Sequence, residues 1–228
     1  MDSAHVEPGR TPRIRVSTRS GSVDVETTTP DTIEVSGGRI HHGALSGEFE
    51  VKARGWSRVV LRCPEGSDII VGTHSGAVDI QGRLGRVSVT TSDGGIKLAR
   101  ADRADLRGGR GDIDVGSCDE LRIRFGSGTV RVGATRDAEI AIANGRVEVE
   151  DGGRVRVKAA NGNVTAKVSG DTRIETIAGK VHVAVSDGLK PSVRYRSFHG
   201  SRRNDCPEGD DLRVNIQTIS GDIEVVPA

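Results

Sequence analysis

Glycine recurs along this chain at a fixed interval, and the interval is too short for almost anything except β-structure. In one context, a small or polar residue precedes Gly, one variable residue follows, and two apolar residues come next in alternation. The glycines so marked are Gly21, Gly76, Gly94, Gly111, Gly128, Gly145, Gly162, Gly179 and Gly221. From Gly76 to Gly179 the gaps are 18, 17, 17, 17, 17 and 17. A unit of that length holds two strands of about five residues and two bends, with no room for a helix. A constant period over six intervals is the mark of a repeat architecture, in which each unit buries its apolar face against its neighbours.

The strands can be placed from the alternation. Two and four residues after each Gly stand pairs such as Val23/Val25, Val78/Ile80, Ile113/Val115, Val147/Val149 and Ile223/Val225. Seven and five residues before it stand Ile14/Val16, Ile69/Val71, Leu121/Ile123, Val155/Val157 and Val214/Ile216. Strict alternation with β-branched residues indicates strands with one buried face. Ser-Gly and Asn-Gly steps at the corner tolerate positive φ. No proline lies between Pro64 and Pro191, as an uninterrupted ladder requires.

Asn-Gly also favours antiparallel hairpins, so a meander is the competing arrangement. The columns decide for a parallel solenoid. Ladder neighbours lie about 4.8 Å apart, so like charges stacked in a column repel. Three residues after Gly the column reads Asp114, Arg131, Glu148, Thr165, His182. Six before it reads Asp105, Arg122, Glu139, Arg156, Arg173. Signs mostly alternate. The fold class expected is all-β, a single-domain parallel β-helix (β-solenoid) with about 17 residues per coil, right-handed by the general crossover rule. Residues 1–12 read as a polar arm and 13–228 as the solenoid, roughly ten coils in all at the strand spacing. Irregular insertions fall near 37–66 and 187–210, where the spacing departs from multiples of 17. The second reads as a loop or lid over the side or end of the stack, since an open end rung is an exposed strand edge.

The unit Ser17-Thr18-Arg19-Ser20-Gly21-Ser22-Val23-Asp24-Val25 resembles the bacterial putative-adhesin family of unknown function. So do Thr73-His74-Ser75-Gly76-Ala77-Val78-Asp79-Ile80 and Thr218-Ile219-Ser220-Gly221-Asp222-Ile223-Glu224-Val225, and Cys63-Pro64-Glu65-Gly66 is similar to that family's lead into the repeats. The likeness covers most of Arg13–Val226 and implies a parallel β-helix, with no catalytic residue to carry over. Bactofilins, cytoskeletal β-helices of comparable coil length, resemble the chain in architecture only.

Composition narrows the function. Lys plus Arg is 33 against 32 for Asp plus Glu, a net charge of +1 that points to no nucleic acid partner. Only five aromatic residues are present: Phe49, Trp56, Phe125, Tyr195 and Phe198. Sugar or single-strand binding would need stacking platforms worth roughly 1–3 kcal/mol per base in the nucleic-acid case. Cys63, Cys118 and Cys206 have neither a disulfide framework nor zinc-ligand spacing. No secretory signal and no 18-residue apolar run is evident, so no membrane insertion and a cytoplasmic location are expected.

Candidate chemistry is thin. Arg110-Gly111-Asp112 spells an integrin-type tripeptide, but Gly111 is a repeat glycine. His41-His42 lacks further ligands at metal spacing. Asp112/Asp114 and Glu148/Glu150 pair carboxylates on one strand face, among neighbours that read as an ion-pair ladder. His74, Ser75 and Asp93 suggest a triad, yet Ser75 fills the turn slot also held by Ser20, Ser127 and Ser220. No catalytic residue, cofactor, metal or small-molecule substrate is expected. The expected function is a non-catalytic interaction or scaffold module binding a protein partner. A self-assembling bactofilin-like filament, associating through end coils, is the alternative, and a carbohydrate-active β-helix enzyme comes third. The partner-binding residues expected are Arg194, Tyr195, Arg196, Phe198, Arg202 and Arg203, of the types enriched at binding hot spots.

Overall fold

The computed structural model describes residues 2–7, 11–28, 31–42, 47–53 and 57–228, with the side chain of His42 excepted. Trp56 lies outside the described residues, as does part of the polar arm. The described elements are all strands, and no described helix is long and apolar enough to cross a membrane. The chain divides into two compact units, Met1–Cys118 and Asp119–Ala228.

In the first unit the regular coils are β8 (Asp68–Ser75), β9 (Val78–Asp93) and β10 (Ile96–Arg110). They stack in parallel, with Ile69 against Val87 and Val87 against Ala104. The single 18-residue interval has a local cause. Register between β9 and β10 shifts between Leu98 and Arg100, opposite Gly82, whose φ of +88° accommodates the extra residue.

The first coil in sequence, β2 (Arg13–Ser20) and β3 (Val23–Thr28), is not at the end of this stack. It lies between β8–β9 on one side and β6 (Glu48–Ala53) with β7 (Val59–Pro64) on the other. Three antiparallel strands then cover the outer coil. β4 (Thr32–Ser36) runs along β7, β1 (Asp2–His5) along β4, and β5 (Gly38–His42) along β6. The inward apolar side chains Val6, Ile33, Val35, Phe49, Val51, Val59, Leu61 and Cys63 are buried.

β11 (Ile113–Val168) carries the chain into the second unit, where it is followed by β12 (Thr172–Ala178) and β13 (Val181–Val185). Residues 187–210, expected as a loop or lid, instead contain two strands, β14 (Pro191–His199) and β15 (Arg202–Asn204). The last strands, β16 (Leu212–Ser220) and β17 (Ile223–Pro227), insert beneath them. β16 pairs with β12 on one edge and β14 on the other, and β17 likewise with β13 and β15. Spatial order therefore departs from sequence order.

Two devices hold the corners. A Thr or Ser three residues before the corner Gly donates its hydroxyl to the carbonyl two residues on: Thr18 to Ser20 O (3.1 Å), Thr73 to Ser75 O (3.2 Å), Thr176 to Ala178 O (3.3 Å), Ser197 to His199 O (3.1 Å). The corner glycines stack so closely that a Cβ on Gly145 would strike the carbonyl of Gly128, and one on Gly200 that of Gly221. The latter contact shows Gly200 to be a corner glycine too, at φ +132°.

The outward columns pair charges across rungs as expected. Arg122 meets Glu139 at 3.0 Å, Arg131 meets Glu148 at 3.2 Å and Lys158 meets Glu175 at 3.7 Å. These pairs are exposed, so each contributes little alone and mainly prevents repulsion within a column.

Candidate functional site

Four inward columns run through the second unit, and the order of its last two coils follows from what fills them. In β16 and β17 the inward positions are Val214, Ile216, Ile223 and Val225, all buried. Their ladder partners in β14 and β15 are Val193, Tyr195, Arg202 and Asn204. An Arg and an Asn cannot sit between two apolar rungs without stranding polar groups. The regular coil accordingly takes the inner place and the irregular one the end, where one side faces water. Leu212 and Pro191 continue the packing at the far corner, both buried.

At this end Tyr195 is 39% exposed. The Arg202 guanidinium stands 6.0 Å from its ring centroid and donates to the carbonyl of Ser197, so Arg202 is folded over the mouth of the coil. Asn204 Oδ1 accepts from the Cys206 backbone N–H at 3.2 Å. Asp222 tethers the corner, accepting from Ser201 N (2.9 Å) and Ser201 Oγ (2.8 Å), and these bonds hold its carboxyl below the usual range.

The six residues expected to bind a partner divide by face. Arg194, Arg196 and Phe198 alternate along the outward face of β14 and are exposed. Tyr195 and Arg202 meet at the coil mouth. Arg203 is set apart, engaged with Asp205 at 2.7 Å and with Glu224 at 3.5 Å. The expected cluster is therefore two groups on different faces, with Arg203 apart from both.

Sequence reading missed Ile177 and Ile219. They occupy the slot two residues before Gly, filled elsewhere by Arg19, His74, Ser92, Ala143 and Ala160. Each of the two is flanked in register by residues that pair β12 with β16, which places Ile177 beside Ile219 and Ile219 beside Phe198. Their exposures are 53%, 51% and 71%. The visible signal was the repeated Thr-Ile-x-Gly at 176–179 and 218–221, an apolar residue in an outward slot.

This apolar row borders a shallow groove of about 720 Å³. The small side chains of Ala141, Ala143 and Ala160 form its hollow, with Arg124 at one end and Arg196 and Phe198 at the other. A groove of this make-up can receive an apolar or amphipathic surface.

Several of the remaining candidates have structural roles. Ser75 Oγ donates to Ser20 Oγ at 3.2 Å, so its hydroxyl serves the corner. Glu148 is paired with Arg131 and Arg146. Gly111 is a corner glycine at φ +134°. His41 lies exposed on β5, while the side chain of its neighbour His42 is outside the described residues. Burial pushes the Cys63 thiol up to about 11, and burial followed by the Asp205 carboxylate pushes up that of Cys206. Both thiols are therefore held mainly in the protonated form near neutral pH. Among the described residues, no three His, Cys, Asp or Glu converge as metal ligands.

A family model described as Toastrack DUF4097 matches residues 14–226, across both units. The chain belongs to the Toastrack DUF4097 family. The resemblance read from the Ser-Gly-x-Val units is thereby borne out, as is the all-β solenoid fold class. No curated protein matches the chain. Two solved structures are similar to it. One is a putative adhesin from Bacteroides fragilis NCTC 9343, with 9% identity and a TM-score of 0.46 over 98% of this chain and 94% of that one. The other is a putative cell adhesion protein from Clostridium sporogenes ATCC 15579, with 10% identity and a TM-score of 0.24 over 99% and 98%. The Toastrack model brings with it a fold and no assigned activity.

Proposed function

We propose that this Toastrack chain is a non-catalytic module that binds a protein partner through the outer coil of its second unit. The observation that carries the reading is the row Ile177, Ile219 and Phe198, each more than half exposed. Neighbouring columns have packing, corner or charge-pairing roles within the fold. This row has none. Contiguous exposed apolar side chains rimmed by charge are the surface type that marks interaction sites, and a rigid ladder presents them with little entropy to lose on binding.

Co-purification from the native host tests this, comparing the wild-type chain with Tyr195→Ser/Phe198→Ser. The variant is expected to lose the partner while its melting temperature stays within about 2 °C, since exposed substitutions change stability by no more than about 0.5 kcal/mol. Retention of the partner would place the binding surface elsewhere. Unfolding or aggregation of the variant would instead make the two aromatics a cap.

A further inference from the structure

The charge columns of the second unit pair opposite charges at several rungs, although Arg156 faces Arg173, and among the described residues no such pairing occurs at β14. Within the stack, Arg122 meets Glu139 and Lys158 meets Glu175 on the next rung. At the end of the stack the ladder sets Arg194 beside Asn215 and Arg196 beside Gln217. Neither Asn215 nor Gln217 carries charge, and neither guanidinium has an ion-pair partner among the described residues. Both side chains are exposed.

β14 is also an edge. Its one ladder among the described residues is with β16, so its outer backbone groups face solvent. An unpaired edge is a template for another strand. What that strand must carry can be read from the columns. Opposite Arg194 and Arg196, cross-strand complementarity calls for carboxylates at alternate positions. Opposite Phe198, the end of the exposed apolar row, it calls for an apolar side chain.

A second copy of this chain meets the requirement poorly. Antiparallel self-pairing centred on Tyr195 sets Arg194 against Arg196, and parallel pairing sets each Arg against its own equivalent. Like charges directly opposite are destabilising. The edge thus repels its own kind and attracts an acidic strand.

We propose that β14 accepts an extended acidic segment of a partner protein as the next rung, with carboxylates at alternate positions against Arg194 and Arg196 and an apolar residue against Phe198. This rests on the reading of the outer coil as the partner surface and specifies how that partner is recognised.

The test uses the full chain and a fluorescein-labelled peptide, Thr-Val-Glu-Val-Glu-Val-Leu-Val, beside its counterpart with Lys for both Glu. Binding is followed by anisotropy for the wild type and for Arg194→Glu/Arg196→Glu. The wild type should prefer the Glu peptide by about tenfold, the product of two favourable cross-strand pairs. The double variant should prefer the Lys peptide by a similar factor, and amide exchange in β14 should slow when the matching peptide is bound. Equal affinity for both peptides, or a preference that survives the charge reversal, would overturn the proposal. So would a wild-type dimer, seen by sedimentation, that the Glu peptide dissociates, because the edge would then belong to a second copy. If the native partner depends on Tyr195 and Phe198 but is indifferent to the charge reversal, the partner surface stands and the acidic-strand recognition falls.

Discussion

The outer coil of the first unit and that of the second are built on one plan and finished in opposite ways. In each, a regular coil from the chain terminus lies second from the end, and an irregular coil lies outside it. In the first unit the outer coil keeps apolar inward residues, Phe49, Val51, Val59 and Leu61, and antiparallel strands cover both of its edges. In the second the inward positions are Val193, Tyr195, Arg202 and Asn204, and among the described residues β14 ladders on one side only. A solenoid end can be closed by more protein or made tolerable to water. Closure yields stability and no recognition surface; an end made polar keeps one available.

The largest test of that contrast places a charge at each end. Leu61→Asp buries a carboxylate among apolar strands and should cost about 3–5 kcal/mol in a urea titration. Tyr195→Asp, at a position already 39% exposed, should cost less than about 1 kcal/mol. Equal losses would mean that the second end is as closed as the first.

Thiol labelling sharpens the same comparison. Cys63 in β7 is fully buried, while Cys206, beside β15, is 9% exposed. Both thiols are held protonated by burial, so the difference lies in access. Under native conditions at one pH, mass spectrometry should find Cys206 alkylated at least about tenfold faster than Cys63, since opening of an end coil needs only local unfolding. Equal rates would show one cooperative unit reaching both ends.

A smaller effect probes the coil slipped beneath β14. Thr218 Oγ1 is a buried hydroxyl without a hydrogen-bond partner, whereas Thr176 in the neighbouring rung donates to Ala178 O at 3.3 Å. Thr218→Val should raise stability by about 1 kcal/mol, and Thr176→Val should lower it by about as much. The same sign for both would indicate that Thr218 finds a partner in solution.

The solenoid was readable because its determinants are local and repeated: the 17-residue interval, the Val and Ile columns, and the corner Gly all act within one coil or between adjacent ones. The order of the end coils was not. Gly200 carries the corner geometry, yet the positions where Val is expected after it hold Arg202 and Asn204, so the repeat was invisible there. That β16 and β17 displace β14 and β15 from the stack is a competition between two segments for one apolar surface, and it is settled by packing at long range. Of the candidate site, Arg194, Tyr195, Arg196 and Phe198 could be singled out as unexplained by the repeat. Ile177 and Ile219 stand in an outward slot of the repeat, but that they form a row with Phe198 depends on the coil order, which the sequence did not show.

The exchanged order of the last coils is the claim on which the open end depends, and disulfide formation tests it directly. Arg173 and Asn215 are ladder partners on β12 and β16, while Arg194 lies one rung further out on β14. Adjacent rungs bring Cα atoms to about 5 Å, within disulfide reach, and a separation of two rungs, about 9.6 Å, is beyond it. Under mild oxidation, Arg173→Cys/Asn215→Cys should form an intramolecular bond and Arg173→Cys/Arg194→Cys should not. The reverse result would put β14 against β12 and the regular coil at the end of the unit, contradicting the order on which the exposed edge rests.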